Sequence, residues 1–600
     1  MRLKTSGKVV VLILVVGAVG LGLRVTGYWD KLFPAAAVTK SDVPPLANLP
    51  DMHGTSASGT QYVMPGGEGG CTDKPEVRML GYAWNAQMGI MFANGGAQAA
   101  SGSLMCNNGV NFKWSRQDDN DKLAQNLVAF ATALSKGESN PTAGVHFVTI
   151  MGDGGASFLK GLNDTLSKIG PEYRARIVGE AGFSHGEDKF MGPAEWKQNA
   201  LASRGGVVAG VIRDGDWNIA MKWLADNGLK NNPDEKTYDP DALNWVNASD
   251  YMDAPAKYIA GYTETRPVVH NGKKTGETKQ IHVQGIVTWT PGDVKAAHEK
   301  GGLVSIVSTK EYSSQMPCVI IGIDKWMKAN PEIVKGMLRA IADGSDAVKG
   351  SEMALKKASE VSAANYHEAN SGADYWAKYF RGTVEADKTG QQVELGGSSV
   401  SNLADEYIAF GLVPGSQSLV AATYRSFGDV DVAQYPSIMS SYYSTDDIID
   451  TSYLKSIKEN TTVSPEATKN SQPTFKNTTK GAVISRRKWN IQFETGRAAF
   501  TPAAKQNLER MRRDLLIASG ASIEVHGHTD NQGDPNKNMA LSEARAFAVE
   551  KYLENSSPVN FPQGRITVFA HGQQNPVEPN STGPGRAANR RVEIWLVATK

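Results

Sequence analysis

Short apolar segments and amphipathic stretches alternate along residues 75–454. Each of six apolar runs is followed by a stretch whose apolar residues recur at helical spacing. The runs are EVRMLGYA, VNFKWS, VHFVTIM, GVVAGVIR, QGIVTWT and PCVIIGI. A strand followed by a helix, repeated in this way, predicts an α/β architecture with parallel sheets. Roughly 380 residues is long for a single sheet, so we expect two lobes.

An uninterrupted apolar run lies near the N-terminus, over residues 9–23, after three basic residues and before Tyr28 and Trp29. A helix continued to Trp29 would be about 31 Å long, enough to cross a hydrocarbon layer of about 30 Å. We therefore expect residues 1–30 to be an uncleaved signal anchor, a single transmembrane helix, because basic residues stay in the cytoplasm. The alternative is a cleaved signal peptide, although its small-residue site at 35–37 lies far beyond the apolar run.

Two polar stretches separate the expected domains. Residues 31–74 are rich in Pro, Gly and Ser, and residues 455–484 form a second polar stretch, so both are predicted to be linkers. Most of the second linker, as a coil, would span about 30 Å. We therefore expect the domain at residues 485–600 to be tethered to residues 75–454 but free to reorient.

The segment IEVHGHTDNQGDPNKNMALSEARAFAVEKYL, residues 523–553, contains a short strand, a polar turn and an amphipathic helix. Asn538 is placed to cap that helix. Asp530 lies on the turn and Arg545 on the helix. An anion and a cation facing one cleft suit a zwitterionic ligand, with Arg545 binding a carboxylate and Asp530 an ammonium group. The alternative is a structural ion pair between the two side chains.

Residues 485–600 resemble the OmpA-like peptidoglycan-binding domain, an α+β fold. The resemblance rests on NIQFETGRAAFTPAAKQNLERM, GHTDNQG, LSEARA, ITVFAHGQQNP and NRRVEIWL, in that order. It implies that the partner is peptidoglycan, through the diaminopimelate of its stem peptide. The residues that it assigns to the site are Asp530, Arg545, Asn538, Thr529 and Arg590. Many relatives have Asp or Asn in the opening loop, where residues 495–497 here read Thr-Gly-Arg, which predicts a lost side-chain contact.

Residues 75–450 resemble the type II periplasmic substrate-binding proteins, nearest the nitrate and taurine group. The resemblance rests on MLGYAWN, GIVTWTPGDVKAAHEKGG and ANPEIVKGMLRAI. It implies that a ligand binds between the lobes, at the carboxyl ends of strands and the N-termini of helices. A polar insertion at 230–280 and an extra segment at 350–450 depart from the family pattern and leave a transport role open.

Loops at these strand ends supply the candidate cleft residues, which are Trp84, Asn85, Asp153, Gly154, Ser157, Asp216, Trp217, Trp289 and Thr290. Aromatic rings beside carboxylates favour a cationic or amine-bearing ligand. The alternatives are that the aspartates cap helices and that the tryptophans belong to the core.

The three cysteines fit an exported chain. Cys71 and Cys106 each precede a predicted strand and could form a disulfide in an oxidising compartment, or both could be free thiols. Cys318, in the apolar run, is predicted to be a buried free thiol. His526 and His528 have no third ligand at useful spacing, so we predict structural roles and no metal site.

No catalytic motif is present: GxSxG, HExxH, P-loop and CxxC patterns are all missing from the sequence. We therefore expect neither an enzyme nor a cofactor. The net charge of +1 argues against nucleic acid as a partner.

These features predict an inner-membrane protein of a diderm bacterium, with most of its mass in the periplasm. The C-terminal domain would bind peptidoglycan, and the two-lobed domain would capture a small solute and present it to a transporter or sensor. The alternative is a structural scaffold in a wall-spanning or motor-associated complex, whose lobes dock protein partners. Anchoring at both ends favours the scaffold, whereas Trp and Asp at the cleft loops favour solute capture.

Overall fold

The computed structural model describes residues 64–66, 69–459, 475 and 481–599. The predicted signal anchor lies outside these residues, as do most of the first linker and the central part of the second. Within the described residues, none of the helices is both long and apolar enough to cross a membrane.

The described ranges contain two lobes and a C-terminal domain, built from α-helices and β-strands. The strands are β1 (Glu76–Gly81), β2 (Asn111–Arg116), β3 (Phe147–Met151), β4 (Ala175–Ser184), β5 (Lys189–Gly192), β6 (Val207–Gly210), β7 (Lys230–Asn231), β8 (Ala242–Asn247), β9 (Thr263–His270), β10 (Lys273–His282), β11 (Gly285–Thr288), β12 (Val304–Ser308), β13 (Pro317–Ile323), β14 (Thr383–Ala386), β15 (Gln392–Leu395), β16 (Ser398–Val400), β17 (Val483–Trp489), β18 (Ala521–Gly527), β19 (Ile566–Ala570) and β20 (Val592–Ala598). The α-helices are Met88–Asn94, Leu104–Asn107, Asn120–Ser135, Gly155–Leu166, Ala194–Gln198, Gly215–Asp226, Asp253–Ala260, Gly292–Glu299, Asp324–Ala329, Pro331–Gly350, Glu352–Tyr366, Ala373–Arg381, Leu403–Ala409, Leu419–Gln434, Thr445–Ile448, Ser452–Glu459, Ala504–Ile517, Pro535–Ser556 and Gly583–Asn589.

Each lobe is organised around a six-stranded sheet. The first has the order β16-β4-β13-β3-β1-β2 and the second β12-β5-β11-β6-β8-β7. All six predicted strands and the helices after them are present, which confirms the α/β architecture and the two lobes. Strands buried along their whole length, such as β3 and β13, carry continuous apolar sequence because both faces of the sheet are covered.

The sheets are mixed, so the expectation of parallel sheets was wrong in part. β1 pairs in parallel with β2 and β3, but β13 is antiparallel to both β3 and β4. The chain crosses to the second lobe between β4 and β5 and returns between β12 and β13. β13 therefore enters the first sheet from the opposite end, a direction that local sequence does not encode.

A disulfide closes the N-terminal part of the first lobe. It joins Cys71 to Cys106, whose Cα atoms are 5.5 Å apart. The first of the two alternatives for this pair, a disulfide and not two free thiols, is therefore the one found in the structure. Cys318 is a buried free thiol on β13.

The C-terminal domain is a four-stranded sheet of order β17-β20-β18-β19 with two long helices, Ala504–Ile517 and Pro535–Ser556. β18 and β19 are parallel and are connected by the helix Pro535–Ser556. The apolar positions of β18 alternate with polar ones because only one face of the sheet packs against the helices.

The C-terminal domain is docked on the two-lobed domain, which corrects the expectation that it reorients freely. Lys222 Nζ lies 3.1 Å from Asp514 Oδ1, and Arg487 Nη1 lies 3.3 Å from both Asp226 Oδ1 and Asp514 Oδ1. Lys222 also pairs with Asp226 at 3.0 Å. We call these four side chains the interdomain clamp.

Backbone contacts add to the clamp. Ser314 N donates to Ile517 O at 3.1 Å, and Val559 N donates to Gly415 O at 3.3 Å. Ser313 Oγ lies 2.8 Å from Ser519 Oγ. The interface therefore involves both helix ends and loops, and the linker between the domains is not their sole connection.

Candidate functional site

The predicted wall-binding turn follows β18 and is held from both sides. His528 N donates to Arg591 O at 3.0 Å, beside β20, and Thr529 N donates to Gly572 O at 2.8 Å, beyond β19. A Cβ at Gly527 would lie 2.1 Å from Ser542 O, so glycine is required where the strand end meets the helix Pro535–Ser556. The turn is thus fixed by backbone groups before any ligand binds.

Asn538 supports this turn, although not as the predicted helix cap. The helix begins at Pro535, and the cap is Asp534, whose side chain accepts from Asn536 N and Lys537 N at 3.0 Å each. The capping prediction was wrong because Pro is favoured at the first helical position, which starts the helix four residues earlier. Asn538 Nδ2 instead donates to the carbonyl oxygens of Asp530 at 3.3 Å and Gln532 at 3.1 Å.

Asp530 pairs with Arg590, not with Arg545. Its Oδ2 accepts from Arg590 Nη1 at 2.6 Å, and its Oδ1 accepts from Gln532 N at 3.0 Å. The carboxylate is largely buried, whereas the Arg590 side chain is 46% exposed. The alternative of a structural Asp530–Arg545 ion pair is therefore wrong.

Arg545 is held in place without a carboxylate partner. Its Nε donates to Arg497 O at 3.2 Å, and its guanidinium carbon lies 5.1 Å from the centroid of the Phe493 ring. Within the described residues it forms no ion pair. Burial lowers the pKa of Arg545, the positive charge of Arg590 lowers it further, and Asp530 acts in the opposite direction. Two guanidinium groups and one carboxylate leave a net positive charge available to an anionic ligand group.

The opening loop contributes a backbone group where a side chain was expected. Arg497 accepts the Arg545 hydrogen bond through its carbonyl oxygen, while its own side chain is 75% exposed and lies 3.3 Å from Glu494. Although residues 495–497 depart from the family pattern, Arg545 therefore still has a hydrogen-bond partner in the opening loop. Thr529 is buried at the site, and its Oγ1 has no hydrogen-bond partner in the described part of the chain.

A third histidine joins the two that the sequence analysis singled out. His571 Nε2 lies 2.8 Å from His526 Nδ1, and the His528 and His571 rings stack with centroids 4.6 Å apart. Sequence spacing could not reveal His571, because it follows β19, the parallel neighbour of β18. Across the described ranges, the one group of three potential ligands close enough to hold a metal is Asp239, Asp241 and His270.

We predict that this histidine stack makes the C-terminal domain sensitive to acid. Burial, with the charge of Arg591, lowers the pKa of His528 to about 4. The unfolded chain, with a pKa of about 6.5, binds the proton more readily, so this contribution is fully present above about pH 6.5 and is lost towards pH 4.

The measurement is an NMR titration of the full chain with 13C-labelled histidine, in which His528→Gln assigns the resonance. The expected midpoint is near pH 4. A midpoint near 6.5, the value of an unburied histidine, would contradict the structural assignment.

The predicted cleft loops meet between the two lobes. Trp84 Nε1 donates to Asp188 Oδ2 at 3.1 Å, and Asn85 Nδ2 donates to Glu187 Oε1 at 3.1 Å. A Cβ at Gly154 would lie 3.3 Å from Asp214 Oδ1, which shows how closely the loops approach.

Asp153 belongs to the same network and accepts from Gln315 Nε2 at 2.9 Å. Burial and the nearby charge of Asp188 raise the pKa of Asp216, so these two carboxyl groups lie close together. Four of the predicted residues, Trp84, Asn85, Asp153 and Asp216, therefore come together in one buried network.

Other predicted cleft residues have local roles. Ser157 Oγ donates to Gly154 O at 3.1 Å, within its own turn, and Thr290 Oγ1 donates to Asp293 Oδ1 at 2.9 Å. Trp217 packs in the core, with its ring 6.0 Å from that of Trp245. Trp289 Nε1 donates to a backbone carbonyl oxygen, that of Ala83, at 3.3 Å.

The sequence analysis missed Glu187, Asp188 and Gln315 as cleft residues. Glu187 and Asp188 lie on the crossing between β4 and β5, and Gln315 lies just before the return into β13. The acidic pair in GFSHGEDKF was the available signal, but the strands on each side of it were not recognised.

Comparison with known proteins supports the assignment of the C-terminal domain. Residues 492–590 match the model of the OmpA family. Outer membrane protein A of Bordetella avium is 33% identical over 108 residues, which are 18% of this chain and 54% of that protein. The peptidoglycan-binding protein ArfA of Mycobacterium bovis is 36% identical over 104 residues, 17% of this chain and 31% of that protein. The chain thus spans about half or less of these relatives, and the predicted OmpA-like domain is confirmed.

The two-lobed domain also has similar solved structures. The periplasmic nitrate-binding protein NrtA from Synechocystis PCC 6803 aligns with 65% of this chain and 98% of its own, at 11% identity and a TM-score of 0.36.

Proposed function

We propose that the C-terminal domain binds peptidoglycan and fixes the protein to the cell wall. The observation that carries this proposal is the state of Arg545, which is buried, oriented by the Arg497 carbonyl oxygen and the Phe493 ring, and without a carboxylate partner among the described residues. A buried guanidinium is costly unless a partner compensates it. A ligand carboxylate supplies that partner.

Diaminopimelate fits the two charges of the site. Its side-chain end carries a carboxylate and an ammonium group, which Arg545 and Asp530 bind respectively. Arg590 has two roles: it keeps Asp530 in position, and its exposed side chain adds positive charge at the rim of the site. A relative named for peptidoglycan binding gives further support.

Removal of either charge is expected to weaken binding to purified peptidoglycan strongly. A lost hydrogen bond to a charged group costs about 1.5–3 kcal/mol, which corresponds to roughly a 10- to 100-fold weaker affinity. The test is co-sedimentation of Asp530→Ala and Arg545→Ala with peptidoglycan sacculi. Arg497→Ala is the matched control: it retains the carbonyl oxygen, so it should sediment like the wild type. Wild-type sedimentation of both test variants would overturn the proposal.

For the rest of the chain, we propose a single-pass inner-membrane anchor over residues 1–30 and a two-lobed domain that captures a small solute in the periplasm. The buried polar network between the lobes supports solute capture, since side chains from both lobes converge there. Both roles are binding functions without a catalytic step.

The alternative function for residues 75–454 is a scaffold that docks envelope proteins. The docking of the C-terminal domain on the lobes favours it, because that contact already uses the lobes as a protein-binding surface. A scaffold predicts that small solutes leave the melting temperature unchanged, whereas solute capture predicts a rise.

A further inference from the structure

Five carboxyl groups lie together between the lobes, four of them buried and one, that of Asp214, half-buried. They belong to Asp153, Glu187, Asp188, Asp214 and Asp216. Burial raises the pKa of Asp216, and the nearby charges of Asp188, Asp214 and Asp153 raise it further. The backbone at Gly215 approaches so closely that an added Cβ would lie 3.1 Å from Asp153 Oδ1. The five groups therefore form one cluster, to which both lobes contribute.

Basic side chains do not neutralise this cluster. Within the described ranges, none of the five carboxyl groups forms an ion pair. Lys189, next to Asp188 in sequence, pairs with Asp293 and lowers the pKa of Asp188 only through its nearby charge, and Arg213, next to Asp214, lies over the Tyr435 ring. Burial of like charges without compensation is unfavourable. Burial accordingly raises the pKa of Asp188 to about 6 and those of Asp153 and Asp216 well above their usual range.

Unpartnered acceptor atoms are the second, independent observation. Asp153, Asp188 and Asp216 each have a buried Oδ1 without a hydrogen bond in the described part of the chain. The same holds for Asn85 Oδ1 and Gln315 Oε1, on amides that are 0% exposed.

These two amides are aimed at the cluster. The NH2 group of Asn85 donates to Glu187, and that of Gln315 donates to Asp153. Buried polar atoms are nearly always paired, and amide oxygens and ionised carboxylates can only accept. The site is therefore complementary to a molecule that donates several hydrogen bonds.

We propose that the interlobe site binds a small organic cation, whose ammonium or guanidinium N–H groups donate to Asp153, Asp188 and Asp216. This inference rests on the proposed capture of a solute and names its class. A bare metal ion fits less well, since the carboxylates do not form a group of three ligands within 4.8 Å, among the described residues. Trp84, hydrogen-bonded to Asp188, and Tyr82, with its ring 6.1 Å from that of Trp289, add aromatic surface that suits a cation.

The test is a binding series on the full chain by thermal shift and calorimetry. The cationic probes are putrescine, spermidine, L-lysine and L-arginine. The comparison probes are nitrate, taurine, glucose, Mg²⁺ and Ca²⁺. We expect at least one organic cation to raise the melting temperature of the wild type. The affinity for that cation is expected to fall at least 10-fold in Asp153→Asn and in Asp216→Asn.

Glu180→Gln is the matched control. Glu180 is also a fully buried carboxyl group, but its charged neighbours are Glu406, Asp405 and Lys349, which lie outside the cluster. The Glu180→Gln variant should bind the cation with the affinity of the wild type. Asparagine resembles a protonated aspartate in shape, so both test variants should fold, and their unliganded melting curves verify this.

Each contrary outcome has a distinct meaning. Binding of an anion, a sugar or a metal ion alone, unaffected by the two asparagine variants, would overturn the cationic class while leaving solute capture standing. If none of the probes binds, both the cationic ligand class and the proposed solute capture would be overturned, and the scaffold function would be favoured. Equal loss of cation affinity in Glu180→Gln would also overturn the assignment, because the effect would not be specific to the cluster.

Discussion

Replacement of Arg565 by methionine is expected to destabilise the C-terminal domain by about 4 kcal/mol, the cost of leaving several buried acceptors unpaired. Arg565 is fully buried, and its guanidinium donates to four carbonyl oxygens. Two of them, Leu515 O at 2.9 Å and Ala518 O at 2.7 Å, lie at the C-terminal end of the helix Ala504–Ile517. The others are Ala521 O at 3.2 Å and Asn560 O at 2.6 Å. Methionine fills similar space but donates nothing.

Urea unfolding of the full chain, followed by hydrogen exchange in β18 and the helix Ala504–Ile517, measures this effect. Arg497→Met is the control, because that side chain is 75% exposed and should change the free energy of unfolding by less than about 0.5 kcal/mol. Equal stability of the Arg565 variant and this control would show that the four hydrogen bonds do not hold the domain together.

Replacement of Lys222 by methionine is expected to release the C-terminal domain from the lobes. Lys222 is 4% exposed and lies between Asp226 and Asp514. Without its ammonium group, the buried carboxylate of Asp226 and the half-buried carboxylate of Asp514 would share Arg487. The Tyr312 hydroxyl would be a further donor to Asp226 alone. Removing one partner of a buried pair costs about 3–5 kcal/mol, because the remaining charge stays uncompensated.

The released domain should show faster hydrogen exchange at the clamp and a larger radius of gyration in small-angle scattering. Lys160→Met is the matched control, since Lys160 and Asp164 also form an i,i+4 pair on a helix, but Asp164 is half exposed. Surface pairs contribute about 0–1 kcal/mol. Unchanged scattering and exchange in Lys222→Met would mean that the clamp does not hold the domains together.

The fold was predictable wherever a local pattern encodes it. All six strand and helix pairs of the lobes follow from apolar periodicity, which depends on residues close in sequence. The crossing between β4 and β5 and the direction of β13 were missed because they depend on which lobe the chain enters next. The docking of the C-terminal domain on the lobes was missed for a similar reason. Lys222 and Asp514 are 292 positions apart, and in the sequence each one resembles an ordinary solvent-exposed charged residue.

The candidate sites were predictable in part for the same reason. Asp530, Arg545 and Arg590 follow from an ordered set of motifs, but the pairing of Asp530 with Arg590, 60 residues further along, was not predicted. At the cleft, Trp84 and Asp216 follow from strand-end loops, whereas Glu187 and Asp188 required the crossing to be recognised. The parts of the sites that depend on contacts between residues distant in sequence therefore could not be predicted.

The central claim is that Arg545 and Asp530 together bind the zwitterionic end of diaminopimelate. Calorimetric titration with two soluble stem peptides tests it most directly, one with diaminopimelate and one with lysine, which has the ammonium group but lacks the carboxylate. We predict that the wild type binds the diaminopimelate peptide at least 10-fold more tightly and that Arg545→Ala abolishes this preference. Equal affinity of the wild type for the two peptides would contradict the claim.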